Sequence, residues 1–344
     1  MQRLLIVLFL FAPFLIIAQN QRNAHLSGKL SKDTNAVKFF DSLSYAYSNI
    51  NTDTGIVYAN RALDLARQLN WAKGIALSHS ELGTNYRAKG DYGKALDDYF
   101  KALNIYQKLK SDRSVAAMLS NIASIYRLQG NYAKALEYHL KALADMERVG
   151  DRKSQAIIMG SIGTLHKDQG DYAHALEYYN AALELNREIG DSAGLAREYG
   201  NMGIVYESQG LYDKALTYHS AALQANKRLG NKYGMQINTA NLAISYLHLG
   251  ALEKSPSYHL TALQLSEEIG NKNSMAINLG NAGETYLAIA KKKSDKQALA
   301  NAVRYLERAV TLCREVGFLA PLTEFIPHLT EAYTLQGNFQ AGYR

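Results

Sequence analysis

The chain has 344 residues, 47% hydrophobic and 20% charged, with a formal net charge of +7 and one cysteine. Size alone would allow two or three globular domains, but no low-complexity tract or long linker divides the sequence, and its basic excess is too diffuse to form a nucleic-acid footprint. The single cysteine, Cys313, excludes an internal disulfide, so packing alone must hold the fold.

The N-terminus precedes the fold. Arg3 supplies a positive charge, Leu4 to Ile17 form an apolar run that includes Pro13, and Ala18 precedes the polar Gln19-Asn20-Gln21. This pattern predicts a secretory signal peptide over residues 1–18, cleaved near Ala18, and hence an exported, periplasmic or secreted protein. The alternative is an N-terminal membrane anchor, although the run is shorter than the ~20 residues of a spanning helix. No cysteine lies near the cleavage site, which argues against a lipoprotein. Residues 19–35 read as a lead-in segment.

From residue 36 to residue 344 the sequence repeats every 40 residues. Ala62, Ala102, Ala142, Ala182, Ala222 and Ala262 stand in register, each followed by leucine. Tyr86, Tyr126, Tyr206, Tyr246 and Tyr286 form a second row, and Gly90, Gly130, Gly170, Gly210 and Gly250 a third. A fixed period of this length means a stacked array that builds an extended surface for partners. In residues 116–155, Ile122, Ala123 and Tyr126 share one helical face, and Gly130 ends that helix. Asn131 then caps a second helix marked by Tyr132, Ala135, His139 and Ala142, which ends at Gly150, and Asp151 caps the next unit. Each repeat is thus an antiparallel helix pair.

Residues 36–75 form a degenerate first repeat with a shortened turn at Asn49 to Asp53, and five regular units follow. In the seventh, Ala262 is followed by Ala309, and the extra seven residues predict an exposed, lysine-rich loop around Lys291 to Lys296. Cys313 falls on the second helix of that unit as a small buried hydrophobe. An eighth unit starts with Leu329 and Tyr333, and Gly337 and Phe339 match its turn, but the sequence ends at Arg344 where a second helix should begin. Phe325, Ile326, Leu329 and Tyr333 would then lack a covering helix. Two readings fit: an irregular cap, as Pro321 and Pro327 indicate, or a longer protein.

Leu82-Gly83, Tyr86, Gly90, Tyr92, Ala95, Tyr99 and Ala102 resemble the tetratricopeptide repeat (TPR) pattern, and the match extends over about 300 residues. The 40-residue period and the missing terminal proline resemble the longer variant of kinesin light chains, spindle-orientation adaptors and bacterial peptide-pheromone receptors. The resemblance implies an all-α fold, a right-handed superhelical solenoid of antiparallel helix pairs, with a concave groove lined by the first helix of each unit.

The resemblance also places groove residues at the second, fifth, sixth, ninth and twelfth positions of each unit. The sixth reads Glu81, Asn121, Ser161, Asn201, Asn241 and Asn281. These amides either hold a peptide backbone, to which asparagine can both donate and accept, or bond between helices and hold the stack. The ninth reads Thr84, Ser124, Thr164, Ile204, Ile244 and Glu284; the twelfth begins Arg87, Arg127, Lys167 and continues Glu207, Leu247, Leu287. The groove is expected to be polar and basic in its first half and mostly apolar in its second. The three basic residues either receive the acidic part of a ligand or complement the helix dipole.

His139, His219 and His259 occupy the register of Tyr99 and Tyr179, so they read as packing residues and no metal is expected. No nucleophile elbow, phosphate-binding glycine loop or zinc motif occurs, and neither enzymatic activity nor a cofactor is expected. The resulting expectation is an exported scaffold that binds protein or peptide, with no nucleic acid, and membrane only within a longer chain. The alternative is the periplasmic sensory portion of a transmembrane signalling protein like those of Bacteroidetes, favoured by the unfinished eighth repeat.

Overall fold

The computed structural model describes residues 33–48 and 51–338, and every regular element among them is an α-helix. The expected signal peptide, most of the lead-in, Asn49, Ile50 and the end of the eighth unit, including Phe339, lie outside the described residues. Two compact units divide the chain, Met1–Asp145 and Met146–Arg344. The first holds α1 (Thr34–Tyr47), α2 (Thr52–Gln68), α3 (Ala72–Lys89), α4 (Tyr92–Lys108) and α5 (Asp112–Leu128). Helix α6 (Tyr132–Arg148) begins in it. The second holds α7 (Arg152–Asp168), α8 (Tyr172–Glu188), α9 (Ser192–Ser208), α10 (Tyr212–Arg228) and α11 (Lys232–His248). It continues with α12 (Ser255–Ile269), α13 (Lys272–Lys293), α14 (Lys296–Val316) and α15 (Leu322–Leu335).

Odd-numbered helices are the first of each pair. First helices pack on the second helix of their pair, as in α1 on α2, α3 on α4, α7 on α8, α9 on α10, α11 on α12 and α13 on α14, and on the next first helix, as in α1 on α3, α7 on α9, α9 on α11, α11 on α13 and α13 on α15. The punctuation is regular. A residue with positive φ recurs every 20 residues from Asn70 to Gly270, and only Asn70 and Lys110 in that series are not glycine. Three residues later a fresh helix is under way, started by side-chain caps such as Asp91 to Lys94 N (3.2 Å), Asn131 to Lys134 N (3.2 Å) and Asn231 to Gly234 N (3.1 Å).

Small residues set the helix spacing. The alanine row from Ala62 to Ala262 is 0% exposed throughout. At the eighth position of a unit, a Cβ added to Gly83 would stand 2.6 Å from the Tyr99 ring, one on Gly163 would stand 2.8 Å from Tyr179, and one on Gly203 would stand 2.5 Å from His219. The ring of the second helix therefore rests directly on the backbone of the first. Tyr99, Tyr179, His139, His219 and His259 are all buried, in agreement with packing histidines. A second seat joins successive first helices. A Cβ on Gly160 would meet Glu198 at 2.8 Å, one on Gly200 would meet Asn238 at 3.4 Å, and one on Gly280 would meet the Phe325 ring at 2.1 Å.

Two expectations change at the C-terminal end. The extra residues of the seventh unit do not form a loop: they lengthen α13 and α14 to 22 and 21 residues, with Ser294 and Asp295 between them. The added turns are amphipathic, and Ile289, Ala290 and Ala298 are buried with Leu252. Lys291 pairs with Glu331 at 2.6 Å, and Lys293 pairs with Glu253. Phe325 is not left uncovered either; it is 1% exposed within the core of α13 and α14, with Leu329 and Tyr333 packed at its edge. Cys313 is buried in the same core.

Tyrosine rings sit on glycine at Gly83 and Gly163, and of the three histidines in this register His219 sits on Gly203 whereas His139 and His259 stand in register with Ala123 and Ala243. Gly163→Ala should therefore cost about 1–3 kcal/mol through overpacking against Tyr179. In a double-mutant cycle by urea denaturation, Tyr179→His should recover a coupling of about 1 kcal/mol with Gly163→Ala.

Candidate functional site

Positions two, six and nine of each first helix are one and two turns apart and share a face. In the second unit this face carries exposed apolar side chains at Ile157, Ile204, Ile237 and Ile277, each 36–44% exposed. Beside them run Ser161, Asn201, Asn241 and Asn281, all half-buried. Ser161 returns its hydroxyl to the Ile157 carbonyl at 3.0 Å. Asn201 donates to Glu198 Oε2 at 3.0 Å. The side chains of Asn241 and Asn281, and that of Asn121 in the first unit, make no hydrogen bond among the described residues.

Between α9 and α11 the face opens into a cavity of about 200 Å3 lined by Arg197, Gly200, Asn201, Ile204, Asn238 and Asn241. Glu198 lies beneath it, fully buried, and accepts from Arg197 Nε at 2.8 Å as well as from Asn201. Burial pushes the Glu198 carboxyl up; the Arg197 charge and the two hydrogen bonds oppose that shift. Asn238 is 5% exposed and donates to the Gly234 carbonyl at 2.8 Å, while its Oδ1 has no partner among the described residues. A second cavity, of about 380 Å3, continues past Ile204 and Asn241 to Glu207, Tyr212 and His248. His248 stacks on Tyr212 with centroids 4.7 Å apart.

The expected basic row is not a row of free charges. Arg87 is exposed, and its guanidinium acts on the buried Tyr99 hydroxyl. Burial holds His139 down at about 4, and the charge of Arg127 adds to that shift. Lys167 lies 2.9 Å from Asp168. The ninth-position hydroxyls turn inward: Thr84 bonds the Ser80 carbonyl and lies 3.3 Å from Tyr99 OH, Thr164 bonds the Gly160 carbonyl and lies 3.0 Å from Tyr179 OH, and Ser124 bonds the Ser120 carbonyl. The polar character of this face comes chiefly from the sixth position.

Sequence reasoning missed three features. Asp41 is the sixth-position residue of the degenerate first repeat and forms a buried acidic cluster with Glu81. Burial pushes each carboxyl up to about 7; the Ser78 hydroxyl partly offsets this at Asp41, and the Asp41 charge adds to it at Glu81. The same two acids, after burial, help push Tyr106 up to about 12. The third-position row Glu198, Asn238 and Asn278 was readable only as polar residues 38 positions after Gly160, Gly200 and Ala240. Finally, the histidines that the fold brings together are not those in the ring register but His166 and His174, at 5.2 Å.

Residues 114–188 and 199–233 each match a tetratricopeptide repeat family model, and the chain carries repeats of this kind. No curated protein sequence matches it. The fold is similar to that of a signal-transduction ATPase with a tetratricopeptide repeat sensor from Pyrococcus horikoshii: TM-score 0.66 and 18% identity over 96% of this chain and 50% of that one. It is also similar to the apo form of the quorum sensor NprR from B. thuringiensis, with TM-score 0.63 and 16% identity over 97% and 92% of the two chains. A Rap protein complexed with Competence and Sporulation Factor matches with TM-score 0.55 and 15% identity over 89% and 100%. At these identities the likeness establishes a TPR solenoid fold.

The acidic cluster fixes a pH dependence. Asp41 and Glu81 keep their protons to about pH 7 in the fold but release them near their ordinary values of 3.8 and 4.5 when unfolded. The folded state thus binds more protons between those limits, and the contribution present at low pH is lost as pH rises to 7. Asp41→Asn should raise stability at pH 8 by on the order of 1–3 kcal/mol and leave it unchanged near pH 3. Melting curves of both proteins across this range measure the difference.

Proposed function

We propose that the chain is a scaffold that binds an extended peptide or protein segment along the first-helix face of its second unit. The observation that carries this reading is the pair of unbonded amides, Asn241 and Asn281, beside exposed Ile204, Ile237 and Ile277. A carboxamide that holds a helix stack together is hydrogen-bonded to it; these are not, and each offers a donor and an acceptor to an incoming backbone. Packed helices lie ~8–10 Å apart, and an extended chain rises ~3.3 Å per residue. Successive amides would therefore meet a ligand about once every three residues, and the isoleucines would take its apolar side chains. Arg87, Asn121 and Arg127 are the corresponding residues proposed for the first unit, with Lys167 and Asn201 in the second. The complex of the similarly folded Rap protein with Competence and Sporulation Factor supports ligand binding by this kind of fold.

Peptides selected from a displayed random library against the purified chain should bind wild type. Asn241→Ala and Asn281→Ala should each weaken that binding about tenfold, at unchanged helicity. Equal binding by wild type and the double variant, measured by fluorescence anisotropy, would remove the site from this face.

We further propose that residues 1–18 direct export and that the binding face works in the periplasm or outside the cell. N-terminal sequencing of the native protein should then begin just after Ala18. A second reading, in which the repeats sense a ligand for a longer signalling protein, is supported by the likeness to the signal-transduction ATPase, which has a tetratricopeptide repeat sensor. A native mass well above 38.1 kDa would support it.

A further inference from the structure

The repeat supplies its own internal control at positions eleven and nineteen. In four units these are tyrosine and lysine, and the lysine ammonium stands over the ring: Lys94 on Tyr86 at 5.3 Å, Lys134 on Tyr126 at 5.1 Å, Lys214 on Tyr206 at 5.2 Å and Lys254 on Tyr246 at 5.1 Å. In the unit 156–195 both are histidine, His166 and His174. Between them stands Asp171, the N-cap of α8. A cation over a ring has been exchanged for two imidazoles facing one carboxylate.

The geometry of the three is close to that of a metal centre. His174 Nδ1 lies 2.6 Å and His166 Nδ1 3.2 Å from the same oxygen, Asp171 Oδ2. One ligand atom from each of the three residues lies within 4.8 Å of the others. Ligands 2.0–2.2 Å from a tetrahedral ion are roughly 3.3–3.5 Å apart, so a small rotation of exposed His174 would admit the ion. His166 is the rigid member, stacked on Tyr178 at 5.6 Å and 13°. The donor set, two imidazoles and one carboxylate, suits Zn2+ and its neighbours Cu2+ and Ni2+ rather than Mg2+ or Ca2+.

We propose that His166, Asp171 and His174 form a transition-metal site, with Zn2+ as its ion, at the turn between α7 and α8. Three protein ligands leave a fourth position for water or for a group from a partner. Each imidazole binds through an unprotonated nitrogen, so the Nδ1 proton now facing Asp171 moves to Nε2 as the ring changes tautomer, and a neutral ring releases no proton. The ion would clasp the first helix of this pair to the second, where the other units use the tyrosine–lysine contact. This site is independent of the peptide-binding face.

The test uses the untagged chain and Zn2+ alone, titrated calorimetrically in chelator-free buffer, with Co2+ absorption as a second readout. Wild type should bind one ion with roughly micromolar affinity. The double variant His166→Tyr/His174→Lys restores the pair present in four neighbouring repeats and should keep its helicity while losing tenfold or more in affinity. Asp171→Asn preserves the cap, as Asn131 does in another unit, and should also weaken binding, which separates ligation from helix capping. Uptake of no zinc by wild type at roughly 100 µM ion, or equal uptake by wild type and both variants, would overturn the assignment.

Discussion

The structure depends on close approach of helices across residues that have little or no side chain. Where Gly83 meets Tyr99 and Gly163 meets Tyr179, the whole ring of the second helix lies on the backbone of the first. Dispersion and apolar burial are gained along the length of that ring, and no cavity remains to be filled. The ring hydroxyl then needs a partner in a dry place, and the ninth-position threonine supplies it at both sites. Where the ring is His219 or His259, the ninth residue is Ile204 or Ile244. Core geometry thus decides which ninth-position residues turn inward and which remain on the surface.

The same constraint shapes the candidate binding face. Small residues at Gly160 and Gly200 allow the third-position side chains of the next first helix, Glu198 and Asn238, to sink until they are almost fully buried. A carboxylate at that depth is held by Arg197 and Asn201, which fixes both at the cavity rim. The surface that remains is made of amides and isoleucines and carries little net charge. Those groups suit the peptide ligand proposed above, with carboxamides for its backbone and isoleucines for its apolar side chains.

In a repeat protein, departures from the repeat carry most of the specific chemistry, because each unit already contains what the fold requires. His166 and His174 are visible as departures only after the tyrosine and lysine rows are known to touch. Their spacing alone matches no metal motif. Asp41 escaped notice for the opposite reason: its repeat is degenerate, and the register there was too weak to carry the sixth position back by one unit. The basic row of Arg87, Arg127 and Lys167 was legible as residues but not as an environment. Only the fold shows that the Lys167 ammonium turns to its chain neighbour Asp168 and that Arg87 acts on the buried Tyr99 hydroxyl.

The sequence by itself determined the helix pairs, their turns and the identity of the fold, because period, glycine punctuation and alanine rows are local and repeat together. It also determined which residues share the first-helix face, since that follows from 3.6 residues per turn. Tertiary structure decided what those residues do. Depth of burial and the seating of third-position side chains on fifth-position glycines depend on neighbours 38 residues away, as Glu198 on Gly160 and Asn238 on Gly200. It also decided that the lysine-rich insertion extends two helices: Ile289, Ala290 and Ala298 had an apolar neighbour in Leu252 to bury against, and that contact outweighed the local polarity of four lysines.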